Sequence, residues 1–208
     1  MKGSALTKVG RLADYFIGHP SELPRYLRSA RAFPLQLGKP WISWPAIDFL
    51  AGHVRKDMDV FEYGSGGSTL FFAERARSVK SVEHDANWYA FQQKGWNAPE
   101  ARVVLKAVEA TSDDETPVLD YVNGIDGEYD IILVDGLDDV TVPSLRPLRL
   151  KCFEKARSHV RPGGIIVVDD AWRYDDIAFD VGEPRDVRRF EGPGPGRWGI
   201  TRTDVYFY

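Results

Sequence analysis

Cysteine is nearly absent from this chain. Cys152 is the only one, so no disulfide can close within it and nothing points to an oxidising compartment. Long apolar runs are absent too. Met1 to Pro20 is broken by Lys8, Arg11 and Asp14 and lacks the apolar stretch of a secretory leader, and no later run reaches membrane-spanning length. The expectation is a soluble, cytoplasmic protein with no membrane partner. Nor does one sign of charge dominate: 27 basic and 31 acidic residues leave a net charge of −4, which supplies no overall field for nucleic acid. Histidine is scarce, and His19, His53 and His159 show no partner spacing, so they read as surface or cap residues. There is no internal repeat or low-complexity segment. What remains, 208 residues with 43% hydrophobic and 28% charged, suits one α/β domain with a sizeable core.

Residues 1–40 read as a helical preface packed across the main sheet. Leu6, Val9, Ala13 and Phe16 share one helical face, and Ser21 and Pro24 lead into Tyr26, Leu27 and Ala30. His19-Pro20 and Phe33-Pro34 mark breaks, because the residue before a proline is steered away from helical dihedrals. Ser43 is placed to cap a helix with Pro45 in its first turn and Ala46, Ile47, Leu50, Ala51 and Val54 as its apolar stripe.

Strands and helices then alternate. Strands are predicted at 59–63, 79–83, 102–105, 131–135 and 165–168, with helices at 68–77, 86–94 and 117–125 between the first four. Leu148, Cys152, Ala156 and Val160 define the apolar face of one more helix, stopped by Arg161-Pro162-Gly163-Gly164; Cys152 there is an inert core thiol. Val187 to Phe190 and Ile200 to Tyr208, joined by Gly192-Pro193-Gly194-Pro195-Gly196, form a terminal hairpin. This pattern implies a Rossmann-like, doubly wound, mostly parallel sheet ending in an antiparallel pair.

The most informative stretch is Glu62-Tyr63-Gly64-Ser65-Gly66-Gly67-Ser68-Thr69, a strand running through a glycine turn into a helix whose start is marked by Ser68 and Thr69. Glycines let backbone approach a ligand closely, and the free N–H groups of a helix start point toward it. About twenty positions after Gly64, Glu83 closes the next strand, where an acidic side chain can accept bonds from a ribose diol. Nicotinamide dinucleotides and S-adenosylmethionine (SAM) are both bound by such an arrangement. Thr69, where a dinucleotide fingerprint needs Gly or Ala, would crowd the helix against the strand. Glu62 would repel a pyrophosphate but suits an ammonium group.

At these residues the chain resembles the class I SAM-dependent methyltransferases. Glu62, Gly64, Gly66 and Ser68 match their first motif, and Glu83 in Ser81-Val82-Glu83-His84-Asp85 matches their ribose-binding acid. Tyr129 to Gly136 is similar to their fourth-strand motif, and Arg161 to Asp170 to their fifth-strand region. The resemblance implies that the backbone of Tyr63 to Gly66 holds the methionine part of SAM and Glu83 the ribose. It further implies that His84 borders the adenine, with Glu109 or Ala110 flanking it, and that residues 41–208 form the SAM-binding domain.

A second cluster lies at strand ends that open on the same crevice: Asp135 after the fourth strand, Asp169 and Asp170 after the fifth. The commoner role of such carboxylates is capping and loop solvation. The cluster also looks like the metal site of catechol-type O-methyltransferases, with Asp170 in place of their Asn, which implies that Asp135, Asp169 and Asp170 could hold Mg²⁺ and lower the pKa of an acceptor hydroxyl. Without a metal, Asp135 or His84 is the nearest general base. Trp41 is assigned to the core, while Trp44 and Trp172 flank the crevice as ligand cover or as core. Arg185, Arg188 and Arg189 read as a solvated strand edge, with steering of an acidic substrate as the sharper alternative. Together these features point to a SAM-dependent methyltransferase acting on an oxygen of a small-molecule acceptor, with Asp135 and Asp169 as catalytic residues. An NAD-dependent oxidoreductase and a SAM-binding protein without activity remain as alternatives.

Overall fold

The computed structural model describes residues 5–32, 34–94, 98–109, 111–174 and 184–208. The chain begins with helices α1 (Ala5–Gly18), α2 (Leu23–Ser29), α3 (Pro34–Leu37) and α4 (Trp44–His53). It then alternates through β1 (Asp59–Tyr63), α5 (Gly67–Ala73), β2 (Ser78–Glu83), α6 (Ala86–Gln93), β3 (Ala101–Leu105), α7 (Glu115–Val122), β4 (Tyr129–Val134), α8 (Leu148–Ala156) and β5 (Val160–Val168). Strands β6 (Asp186–Gly192) and β7 (Thr201–Phe207) close it.

The described strands form one seven-stranded sheet in the order β3-β2-β1-β4-β5-β7-β6. Pairings from β3 to β5 are parallel, and β7 runs antiparallel to both β5 and β6. The chain steps outward in both directions from β1 and β4, so the carboxyl ends of those two strands flank the switch point where open α/β sheets bind ligands. Alternate residues of the central strands feed two cores. Val60, Ile131, Leu133, Ile165 and Val167 pack with α4 and α5, while Phe61, Tyr63, Ile132, Val134, Ile166 and Val168 pack with α7 and α8. Two covered faces explain why these strands read as unbroken apolar runs. No helix among the described residues is long and apolar enough to cross a membrane.

Several local expectations are corrected. Val160 belongs to β5 and not to α8, which ends at Ala156: Val160 pairs with Tyr129, and the ladder shifts register before Ile131. Pro162-Gly163-Gly164 is thus an irregular stretch inside a strand. Helix α5 stops at Ala73 because the chain turns back to β1, where Arg77 N donates to Met58 O (2.8 Å). Helix α7 starts at Glu115, since the Asp114 carboxylate caps it by accepting from Thr116 N (2.9 Å). Ser43 sits at the N-cap of α4, yet its hydroxyl donates to Phe190 O (2.9 Å), tying the helix to β6.

The preface also packs on a different face from the one expected. Leu12, Tyr26 and Ala30 form a small cluster with Phe16 and Ile200, whereas Val9 and Ala13 are exposed. The reason is the partner: α1 lies against the β6–β7 connection, with Tyr15 at Gly192, rather than across the broad sheet. The Leu6 side chain, Phe33 and Ala110 lie outside the described residues.

Candidate active site

Close contact of two loops creates the site. Gly64 has φ +95°, and a Cβ there would stand 3.1 Å from Gly136 Cα and 3.2 Å from Asp135 O. A Cβ on Gly136 would collide with the Tyr121 hydroxyl. The turn after β1 therefore lies backbone on backbone against the turn after β4, which only glycine permits. Beside them opens a cavity of about 360 Å³, within the usual range for small-molecule sites.

Glu83 forms one wall and is almost fully buried. Its Oε2 accepts from Ser65 N (3.0 Å) and Ser65 Oγ (2.6 Å), and its Oε1 from His84 N and Asp85 N (both 2.9 Å). Burial pushes the carboxyl up, but the bonds from His84, Ser65 and the Asp85 backbone outweigh it and hold the pKa below the usual glutamate value. The His84 Nδ1 lies 3.0 Å from Glu83 Oε1, and His84 joins the cavity to an open depression lined by Glu109, Val108 and Pro117. Trp88 also lines the cavity, donating from Nε1 to Ser65 O (2.8 Å). It lay outside the sequence reading, although Asp85, which caps α6 by accepting from Asn87 N and Trp88 N, marks the turn that carries it.

Tyr63, Gly64, Ser65, Gly66 and Ser68 all line this cavity. Glu62 and Thr69 lie behind it. Glu62 is fully buried and accepts from Ser81 Oγ (2.7 Å); burial raises its pKa to about 7 against the hydroxyls of Ser68, Thr69 and Ser81. Thr69 Oγ1 accepts from Gly66 N (3.1 Å) and fixes the turn. Both therefore shape the loop from below, and Ser68 stands between Glu62 and the cavity.

At the opposite end, only Asp135 of the three strand-end aspartates lines the cavity. Arg149 Nη2 lies 3.2 Å from Asp135 Oδ1, and Arg149 also donates to Gly136 O (3.0 Å) and Asp169 O (2.9 Å). Asp169 is fully buried, accepting from Thr203 Oγ1 (2.9 Å) and Arg197 Nη2 (2.8 Å). Asp170, at φ +52°, accepts from Thr201 Oγ1 (2.6 Å) and Arg197 Nη1 (2.9 Å). Burial, then the charge of Asp169, raises the pKa of Asp135 against Arg149 and Arg197. Burial likewise raises Asp169, whereas Arg197 and Thr201 overcome it at Asp170 and hold that carboxyl at about 2.

Guanidinium groups thus take the cationic places among these carboxylates. No group of three or more His, Cys, Asp or Glu side chains is arranged to hold a metal among the described residues. The expected Mg²⁺ site at Asp135, Asp169 and Asp170 is corrected accordingly: Arg197 already bridges the latter pair, and a divalent cation there would face the fixed positive charges of Arg197 and Arg149. Asp169, buried away from the cavity, is not placed to act on an acceptor.

Trp41 is not core: it is 50% exposed, lines the cavity and stands with its ring centroid 5.5 Å from the Arg197 guanidinium. Trp44 is buried beneath Arg25, and Trp172 donates to Asp170 Oδ1 (3.3 Å) outside the cavity wall. The β6 arginines behave as a strand edge, Arg188 pairing with Asp186 (3.1 Å) and Arg189 with Asp204 (3.7 Å). Neither Arg149 nor Arg197 was singled out from the sequence. No local signal marks them, since each acts on residues that folding alone brings near.

A family described as "Methyltransferase domain" matches residues 61–171, just over half of the chain. No curated protein matches it. Among solved structures, a candidate O-methyltransferase from Klebsiella pneumoniae is 17% identical, with 97% of this chain and 99% of that one covered and a TM-score of 0.57. The O-methyltransferase TomG from Streptomyces achromogenes, involved in tomaymycin synthesis and solved with SAM, is 13% identical, covered at 76% on both sides, TM-score 0.54. A candidate rRNA methylase from Clostridium thermocellum is 18% identical, with 77% and 94% covered, TM-score 0.52. At these identities the likeness is one of fold.

Proposed function

The chain belongs to the methyltransferase-domain family, and from that premise we propose that it transfers the methyl group of SAM to an oxygen of a small acceptor, without a metal ion. The observation that carries the reading is Glu83: an ionised, buried carboxylate on the wall of a cavity whose floor is the Gly64 turn. A ribose diol can donate to it, replacing the bond from Ser65 Oγ, while the Gly64 to Gly66 backbone leaves room that any side chain would fill. His84 and the neighbouring depression suit the adenine, with Glu109 at its rim. A nicotinamide dinucleotide fits less well, because its pyrophosphate would lie over buried Glu62 and Thr69.

SAM supplies an electrophilic methyl group on a sulfonium centre. What this chain adds is alignment and a dry, charged surrounding for an in-line displacement. Asp135 is the carboxylate that faces the acceptor end, and its raised pKa suits a group that takes a hydroxyl proton. Arg149 holds it in place. Trp41 and Leu35 line the same cavity.

Titration calorimetry of the protein with SAM, S-adenosylhomocysteine and NAD tests this reading. Micromolar or tighter binding of the two adenosyl compounds, weak or no NAD binding and no change on adding chelator are expected. NAD binding above SAM binding would overturn it.

A further inference from the structure

Glu83 ends β2 and Asp169 follows β5, with β1 and β4 between them. These are three strand spacings, or roughly 14 Å, so the Arg197 end of the site lies beyond the nucleoside end. What stands there is a cation fixed in place. Arg197 spends its terminal nitrogens on Asp169 Oδ2 (2.8 Å) and Asp170 Oδ1 (2.9 Å). Those carboxylates are themselves held by Thr203 Oγ1 (2.9 Å) and Thr201 Oγ1 (2.6 Å) from β7. A guanidinium has more N–H groups than these two bonds use, and the side chain, 20% exposed, reaches the cavity. The guanidinium lies over the Trp41 ring, 5.5 Å from its centroid, and half of Trp41 stays exposed. Arg149, the other cation of the wall, is committed to Asp135, Gly136 O and Asp169 O.

Resting on the methyltransferase reading, we propose that the acceptor is a hydroxylated aromatic acid, and that Arg197 is the residue that selects it by binding its carboxylate while the ring packs against the part of Trp41 that the guanidinium leaves exposed. The hydroxyl then falls toward Asp135, the cavity-lining carboxylate of this end. The arrangement is economical: a charge-assisted bond to a pre-positioned guanidinium fixes the acceptor's orientation and loses little conformational freedom on binding.

Two small probes of nearly the same shape differ in charge, 4-hydroxybenzoate and 4-hydroxybenzamide, the amide keeping one acceptor oxygen and exchanging the other for an NH₂ donor. Their binding to the full chain saturated with S-adenosylhomocysteine can be followed by saturation-transfer NMR. Wild-type protein is expected to bind the benzoate at least tenfold more tightly than the benzamide. Arg197→Gln should erase that preference, Arg197→Lys should keep part of it, and Trp41→Ala should weaken both probes alike. The wild-type comparison needs no variant, so a misfolded Arg197→Gln does not remove the test. Equal binding of the two probes, no saturation by benzoate at millimolar concentration, or an undiminished preference in Arg197→Gln would overturn the proposal. Binding of S-adenosylhomocysteine, measured on the same samples, separates the two failures: without it the methyltransferase reading falls, and with it only the acceptor assignment does.

Discussion

Glu62 and Glu83 are both buried carboxylates on adjacent strands, yet their surroundings drive them in opposite directions. Around Glu83 backbone and side-chain donors outweigh desolvation, so it stays ionised and ready to accept more bonds. Glu83→Gln keeps the shape but turns an acceptor into a donor facing N–H groups. It should weaken S-adenosylhomocysteine binding by about 1–3 kcal/mol, roughly 5- to 150-fold, and unchanged affinity in calorimetry would remove Glu83 from the ribose. Glu62 has only hydroxyls around it, and its pKa stands near 7 against an ordinary 4.5. A carboxyl raised in the folded state contributes stability that is full below the unfolded value and is lost as pH climbs through the folded one. Urea melts of Glu62→Gln, which cannot ionise, should therefore gain on wild type by roughly 3 kcal/mol between pH 4.5 and 7.5, and a constant difference across that window would refute the shift. At this scale the sequence was legible where chemistry is local. Gly64, Ser65, Glu83 and His84 announce themselves by a turn and a strand end. Trp41 did not, because an aromatic on a rim and one in a core look the same until the surface between them exists.

Among the elements, the turn after β1 is the most constrained. Gly64→Ala would place a Cβ against the backbone of the β4 turn at a dihedral that L-residues avoid. Neither neighbour is a flexible side chain that could step aside. The substitution should cost about 1–3 kcal/mol of stability and weaken S-adenosylhomocysteine by separating the two turns; a variant with wild-type melting and affinity would show that the contact is not required. The βα units that carry this turn were readable because each strand is an apolar run between turn signals. Boundaries failed where tertiary pairing overrode local pattern. Val160 continues the four-residue spacing of α8 and so looks helical in sequence, but Tyr129 claims it for the sheet. The acidic strand ends failed for a related reason. Asp135, Asp169 and Asp170 resemble a cation site in sequence, and the cations that answer them, Arg149 and Arg197, come from a helix and a hairpin loop with no local mark of that role.

For the molecule as a whole, the question is whether residues 1–40 form a unit that folds with the sheet or one that only rests on it. We propose the second, for energetic reasons. The charged ties across the boundary are surface pairs worth little in water, among them Arg11 to Glu191 (2.8 Å) and Arg25 to Asp48 (2.6 Å); beside them stand the cluster of Leu12, Tyr26 and Ala30 against Ile200, the Arg25 guanidinium over the Trp44 ring (3.7 Å) and the bond from Gly196 N to Ser29 O (2.9 Å). Both central cores are built from residue 42 onward. Such a segment should open at a free energy well below global unfolding. Hydrogen exchange should thus show amides of α1 and α2 exchanging through a local opening, while those of β1 and β4 wait for the whole sheet. Leu12→Ala, truncating the centre of the small cluster, should lower the local opening energy by about 2 kcal/mol and leave the sheet and S-adenosylhomocysteine binding as they were. If the exchange of β1 and β4 instead rises in step with that of α1, the preface and the sheet are one cooperative body. The β6–β7 loop is where such coupling would run, because Gly196 N donates to Ser29 O (2.9 Å) and Trp44 N to Pro193 O (2.8 Å) on either side of the stretch that leads to Arg197.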